Sequence, residues 1–248
     1  GSTPIAQYIY EGASRTGKRV QALGGAKNHM LVLPDADLEL VADSAINAGF
    51  GSAGERCMAI SVVVAVEPVA DQLISKIVDR MSKLRTGDGR RGCDMGPLVT
   101  KEHRDKVASY IDIAAKDGAT VVVDGRNTAI DGDANGFWLG PTLIDHVPTS
   151  SRVYTDEIFG PVLSILTFRT PQEAIEKANN TPFGLSAGVW SEKGSRILWA
   201  TQQLRAGVIW ANTFNKFDPT SPFGGYKESG WGREGGKHGL ASYLKEGK

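Results

Sequence analysis

"DADLELVADSAINAGFGSAGERCMAISVVVAV", Asp35 to Val66, decides the fold. Its first half spaces apolar residues at the helical period, with Asp35 or Asp37 available as cap. Its last seven residues, Ile60 to Val66, form a clean buried-strand run. Just upstream, "HMLVLP" (His29 to Pro34) is another short apolar run suited to a buried strand. Strand, helix and strand in this order predict a parallel βαβ unit. Between helix and strand lies "GSAGERC", Gly51 to Cys57. Two glycines free the backbone there and a single thiol follows.

The same rhythm continues outward. A helix is predicted from about Pro4 to Ser14, with Ser2 or Thr3 as N-cap and Pro4 at N1. "RVQAL" (Arg19 to Leu23) reads as strand. "VADQLISKIVDRMSKL" (Val69 to Leu84) and "TKEHRDKVASYIDIAAKDG" (Thr100 to Gly118) read as amphipathic helices, the second stopped by Gly118. "ATVVVDG", "GPVLSILTF", "SAGVW" and "AGVIWA" read as strands, with "PQEAIEKANN" and "SRILWATQQL" as helices between them. The class is α/β, with a largely parallel sheet and helices on both faces. Asn212 to Gly236 is long and irregular, but it carries Phe214, Phe217, Phe223, Tyr226 and Trp231, which argues for order. "GDGRRG" (Gly87 to Gly92) matches a glycine-rich nucleotide pattern. It follows a helix where that pattern needs a strand, so it reads as a helix-ending loop.

Composition narrows the function. With 248 residues and 41% hydrophobic content the chain can bury a real core. Its 28 basic and 28 acidic residues cancel, so nothing points to nucleic acid or an anionic membrane. No apolar run approaches the roughly 20 residues of a spanning helix, and the N-terminus lacks signal-peptide character. Two cysteines, Cys57 and Cys93, make no disulfide framework and point to a reducing, cytoplasmic compartment. The four histidines show no metal-binding spacing, and no metal site is predicted.

Cys57 is then either a buried structural cysteine or a nucleophile. The glycine-rich turn before it favours a thiol that meets a substrate in a cleft. Backbone N–H groups of such a turn can stabilise an oxyanion, and the adjacent Arg56 can lower the thiol pKa.

Three stretches carry a resemblance. "FGSAGERC" (Phe50 to Cys57), "DEIFGPVLSI" (Asp156 to Ile165) and "SPFGGYKESGWGRE" (Ser221 to Glu234) resemble, in order, signatures of the aldehyde dehydrogenase superfamily. The resemblance spans the chain. It implies a three-layer αβα catalytic domain in which Cys57 attacks an aldehyde, a hydride passes to NAD(P), and a thioester remains on the enzyme. It implies that Glu157 holds the nicotinamide ribose, that Phe159 lies against the nicotinamide, and that Gly1 and Ser2 meet the cofactor pyrophosphate. It implies that Phe217 and Phe223 line the aldehyde tunnel, although both are equally suited to a core.

Release of the acyl group divides the superfamily. In hydrolytic members a glutamate activates water 34 residues before the cysteine; here that position is Leu23, in "QALGGAKNH". Water, with a pKa of about 15.7, needs a base. A thiol such as coenzyme A, with a pKa of about 8.5, needs one far less. "GGAKNHMLVLPDAD" (Gly24 to Asp37) and "GERCMA" (Gly54 to Ala59) resemble the CoA-acylating methylmalonate-semialdehyde dehydrogenases. That resemblance gives Arg56 the substrate carboxylate; a salt bridge to Glu55 is its structural alternative. From about Thr167 onward the chain looks closer to hydrolytic members, in which Glu234 matches a second carboxylate near the thiol, a relay or back-up base.

Members of the superfamily are about twice this length. The resemblance therefore implies a chain that lacks most of the N-terminal Rossmann-like domain and does not turn over alone. Residues 1–23 would be a remnant of the NAD-binding domain, 24–236 the catalytic domain, and 237–248 an oligomerisation tail serving a homodimer or homotetramer, through a weak strand in "GLASYLKEGK" (Gly239 to Lys248). Two rivals stand beside the acylating reading: a hydrolytic enzyme, and a non-catalytic module that keeps the fold.

Overall fold

The computed structural model describes residues 1–245. Seven strands form the central sheet: β1 (Asn28–Val32), β2 (Ile60–Val66), β3 (Thr120–Val123), β4 (Thr142–Asp145), β5 (Val162–Phe168), β6 (Ser186–Trp190) and β7 (Val208–Ala211). Their spatial order is β7-β6-β1-β2-β5-β4-β3. All neighbours run parallel except β3, which lies antiparallel against β4 at one edge. The central strands are buried almost throughout, which is why β2 reads as an unbroken apolar run.

Helices α2 (Leu38–Phe50), α3 (Glu67–Met81), α4 (Lys101–Lys116), α5 (Arg152–Thr155), α6 (Pro171–Asn179) and α7 (Gly194–Gln203) connect and cover the sheet, while α1 (Thr3–Arg15) packs outside it, with Tyr10 stacked on Trp231. The step from β1 through α2 to β2 runs one way across it. The step from β5 through α6 to β6 runs the other way. Right-handed crossovers therefore place α2 and α6 on opposite faces, completing three layers. Helix α2 starts at Asp37, whose carboxylate accepts from the amides of Glu39 and Leu40. Thr100 caps α4 in the same way through the His103 amide.

Several expectations need correction. "RVQAL" gives only Ala22–Leu23 as strand, and this pairs antiparallel with Gly230–Trp231, outside the main sheet. Arg19 and Gln21 are too polar for the sheet interior, and Gly24-Gly25 ends the run. Strand β4 was not anticipated, being only four residues between Gly140-Pro141 and Pro148. In this single chain, where the tail begins, Gly236–Leu240 forms a short helix, α8, and 241–243 a turn. The last part of that tail, 246–248, lies outside the described residues.

The irregular segment is ordered as its aromatics require. Phe214 is buried against Trp190 and Trp210, and the Trp210 indole donates to Lys216 O at 2.9 Å. Among the described residues no helix is long and apolar enough to cross a membrane, and no three His, Cys, Asp or Glu side chains gather as metal ligands.

Leu163 of β5 is fully buried, and α2 packs its Gly49 onto it. Leu163→Ala should cost about 2–5 kcal/mol through the cavity it leaves, read as a lower urea midpoint with an unchanged slope.

Candidate active site

The strands place their amino ends toward one cleft. Leu23 to Ala26 precede β1, Cys57 precedes β2, Glu157 to Gly160 precede β5, and Leu185 precedes β6. The site is therefore made of the loops that enter the sheet.

The nucleophile loop is tightly wound. Helix α2 ends at Phe50, and then Ser52 (φ 54°), Ala53 (φ 53°) and Gly54 (φ 71°) take left-handed conformations in succession. The two non-glycine residues are costly there, roughly 1–2 kcal/mol each. Gly54 is required: a Cβ at this position would lie 2.2 Å from Gly160 O. Beyond the turn, the buried Asn28 takes hold of the loop. Its Nδ2 donates to Cys57 O and Ala59 O, both at 2.9 Å, and its Oδ1 accepts from Ser186 N at 3.1 Å.

Glu157 comes from the loop before β5. The Ala26 amide donates to its Oε1 at 2.9 Å. A Cβ on Gly25 would stand 2.6 Å from Oε2, so only glycine lets the carboxylate lie there. Burial raises the Glu157 pKa, while the Ala26 amide and Lys27 pull it down. Lys27 is buried, and its Nζ donates to Val153 O and Asp156 O at 2.7 Å. Desolvation lowers its pKa to about 7, against the pull of Asp156 and Glu157. The C-terminal motif closes this side. Buried Ser229 donates to Gly25 O at 2.7 Å and accepts from Gly184 N, while Gly24 N donates to Ser229 O.

The resulting cleft holds about 580 Å³. It is lined by Gly1, Ser2, Cys57, Glu157, Phe159, Phe223 and Glu234, seven of the nine residues singled out from the sequence. Leu23 lines it too, so an apolar side chain stands on the wall where a carboxylate was sought. Phe159 is 39% exposed and itself has φ 58°. Glu234 and Phe223 face each other through paired backbone hydrogen bonds, which sets the carboxylate at the cleft rim.

Two residues are placed differently. Phe217 stacks edge-on against Phe223 at 5.4 Å and Trp210 at 6.0 Å, 56% exposed, behind the cleft wall. Arg56 adjoins Cys57 in a narrow recess, but its guanidinium donates to Asn47 O at 2.8 Å, at the end of α2. Neither Glu55 nor the thiol is its partner: Glu55 faces His103 and Val99. The Nε of Arg56 is buried without an acceptor.

Arg56 and Cys57 attract each other, but this does not leave the thiol depressed. Burial pushes the thiol up, the Cys57 and Met58 amides pull it down, and Glu234 and Glu157 push it up further. At rest the sulfur is a thiol facing an open cleft.

Asn28, Lys27, His103 and Lys106 were not found from the sequence. His103 and Lys106 lie one turn apart on α4, at i and i+3, and both line the cleft. Only that spacing on an otherwise amphipathic helix marked them.

The family model described as "Aldehyde dehydrogenase family" matches residues 1–247. Malonate-semialdehyde dehydrogenase 3 of Geobacillus kaustophilus is 41% identical over 250 residues, covering 99% of this chain and 51% of that protein. A structure of a putative methylmalonate-semialdehyde dehydrogenase from Sinorhizobium meliloti, complexed with NAD, aligns with TM-score 0.95 at 40% identity, over 99% of this chain and 51% of its own. Betaine aldehyde dehydrogenase of Staphylococcus aureus, in complex with NAD+, aligns with TM-score 0.92 at 35% identity, over 99% and 49%. The chain spans about half the length of the curated relatives it matches.

The charges around Cys57 predict the sign of a substitution. Glu234 raises the thiol pKa, so Glu234→Gln should lower it and enlarge the thiolate fraction at pH 7. Iodoacetamide labelling of Cys57 at pH 7 should be about two- to threefold faster in the variant, converging with the unmodified protein above the thiol pKa. A slower variant at pH 7 would reverse the assigned sign.

Proposed function

The chain belongs to the aldehyde dehydrogenase family, and on that footing we propose that it forms the catalytic part of an NAD-dependent, CoA-acylating semialdehyde dehydrogenase. The observation that carries this reading is the cleft itself: Cys57, Glu157 and Glu234 share it, and Leu23 supplies no base on its wall. Residues 24–236 would be the catalytic domain, 1–23 part of the NAD-binding domain, and 237–248 a tail for a homodimer or homotetramer. The reducing environment a free Cys57 requires fits a cytoplasmic enzyme.

The residues present fit NAD. Glu157 is braced through Oε1 by the Ala26 amide, which leaves Oε2 to accept from a ribose hydroxyl. Phe159 offers a ring face on the same cleft, and Gly1 and Ser2 lie at its mouth. When bound, NAD accepts the hydride. Cys57 does the covalent work. Its thiol yields its proton to solvent in the cleft, and its sulfur bonds to the aldehyde carbon. The Cys57 and Met58 amides favour negative charge beside that sulfur. Loss of hydride leaves an acyl thioester on Sγ. The sulfur of coenzyme A then adds to the acyl carbon, and Cys57 leaves as thiolate, so no general base for water is needed.

For a substrate of the malonate- or methylmalonate-semialdehyde kind, Arg56 would meet the carboxylate only by releasing Asn47 O and turning its guanidinium toward the cleft, where Phe223 shapes the apolar side with Phe217 packed behind it. The second reading is hydrolytic, with Glu234 activating water; its place on the cleft beside Cys57 favours it.

p-Nitrophenyl acetate separates the readings without the cofactor. One equivalent of nitrophenolate should appear per chain, lost in Cys57→Ala. Release of the acetyl group should be slow in water and about tenfold or more faster with coenzyme A, and Leu23→Glu should speed hydrolysis by about 10² if it acts as base. Fast hydrolysis abolished by Glu234→Gln would establish the hydrolytic reading instead. No burst of nitrophenolate, in the unmodified protein as in Cys57→Ala, would leave only a folded module.

A further inference from the structure

Glu157 and Phe159 sit on a loop beside the nucleophile loop, and among the described residues the one hydrogen bond of the Glu157 carboxylate goes to the Ala26 amide, not to that loop. His103, in the first turn of α4, lies where the two loops meet. Its Nε2 is 2.6 Å from Phe159 O, and because a carbonyl only accepts, Nε2 carries the proton and donates. The same nitrogen lies 3.5 Å from Glu55 Oε1. Glu55 belongs to the nucleophile loop, two residues before Cys57, and its carboxylate also accepts from Val99 N ahead of α4. Both groups are sheltered, with side chains 24% and 10% exposed. The imidazole also packs beside the Phe159 ring, centroids 6.2 Å apart.

The bond is placed where backbone needs it. Phe159 is left-handed at φ 58°, a conformation that a bulky residue rarely adopts unless its surroundings impose it. The next residue, Gly160, presents its carbonyl to Gly54 of the nucleophile turn, too close for a Cβ there. Its own Cα faces Val107 of α4. Each loop is thus seated on α4, and His103 is the side chain on that helix that reaches both.

We propose that His103 is a positioning residue: it joins the nucleophile loop to the Glu157–Phe159 loop and so fixes the place of the nicotinamide relative to the thiol. The role in catalysis rests on the dehydrogenase reading above; the joint itself does not. It acts through Phe159 O and Glu55, and no proton transfer to substrate is assigned to it.

The test compares the unmodified protein with His103→Ala and His103→Gln by amide hydrogen exchange and Cys57 alkylation, and by NADH formation with a semialdehyde and coenzyme A when the same substitutions are made in the full-length protein. In His103→Ala, amides 157–160 should exchange about fivefold faster, the effect of losing one hydrogen bond. Amides of β2 and β5 should be unchanged, and Cys57 alkylation should stay within about twofold, since burial, two amides and two carboxylates set the thiol pKa. The KM for NAD should rise about tenfold with kcat changed less. His103→Gln, whose carboxamide still donates, should recover most of both effects. Unchanged exchange at 157–160 in His103→Ala overturns the joint. So does a uniform rise that includes β2 and β5, or a glutamine variant no better than alanine. If the full-length protein forms no NADH with any semialdehyde, the dehydrogenase reading fails, and the exchange data still decide the joint.

Discussion

The three hydrogen bonds of Asn28 hold the site to the sheet. One buried carboxamide at the start of β1 reaches the backbone on both sides, to Cys57 and Ala59 ahead of β2 and to Ser186 at the start of β6. A carboxamide suits this position because it donates and accepts at once, and a buried amide left without partners would be costly. The strand register is irregular at the same place, between Asn28 and His29, as the chain bends to present the side chain. This grip, together with Arg56 on Asn47 O and Val99 N on Glu55, holds the left-handed turn from Ser52 to Gly54 against its strain.

Around that grip the site is largely a matter of backbone. Glu157 is aimed by the Ala26 amide and by the missing side chain of Gly25. Lys27 ties down the Val153 and Asp156 carbonyls just before it. Ser229 draws the C-terminal motif onto Gly25 from 204 residues away. Each contact joins the entry of one strand to the entry of another, which is why three motifs far apart in the chain meet in one cleft.

The sheet was legible because buried parallel strands announce themselves as apolar runs, as "ISVVVAV" does. "TLID" in β4 is too short to do so, and in "RVQAL" a two-residue pairing looked like more. The motifs led to Cys57, Glu157, Phe159 and Glu234, and these do line one cleft. Asn28 was hidden because its partners are 29 to 158 residues away and a lone asparagine carries no periodicity. His103 was hidden for a similar reason: its partner Phe159 is 56 residues off, and on α4 it reads as one polar residue among many. Adjacency misled at Arg56, whose long side chain turns back to the last carbonyls of α2, where a cation is favoured, rather than toward the neighbouring thiol.

The raised pKa of Cys57 also concerns oxidants. Peroxide and disulfide attack the thiolate, and the ladder from sulfenic to sulfonic acid begins there. Cys57 lies open to solvent on the cleft floor, the exposure at which such damage starts. Held as a thiol by the mass around it and by two carboxylates, it is a slow target until something enters the cleft and changes that balance. The same surroundings that withhold its reactivity at rest lengthen the time it remains intact.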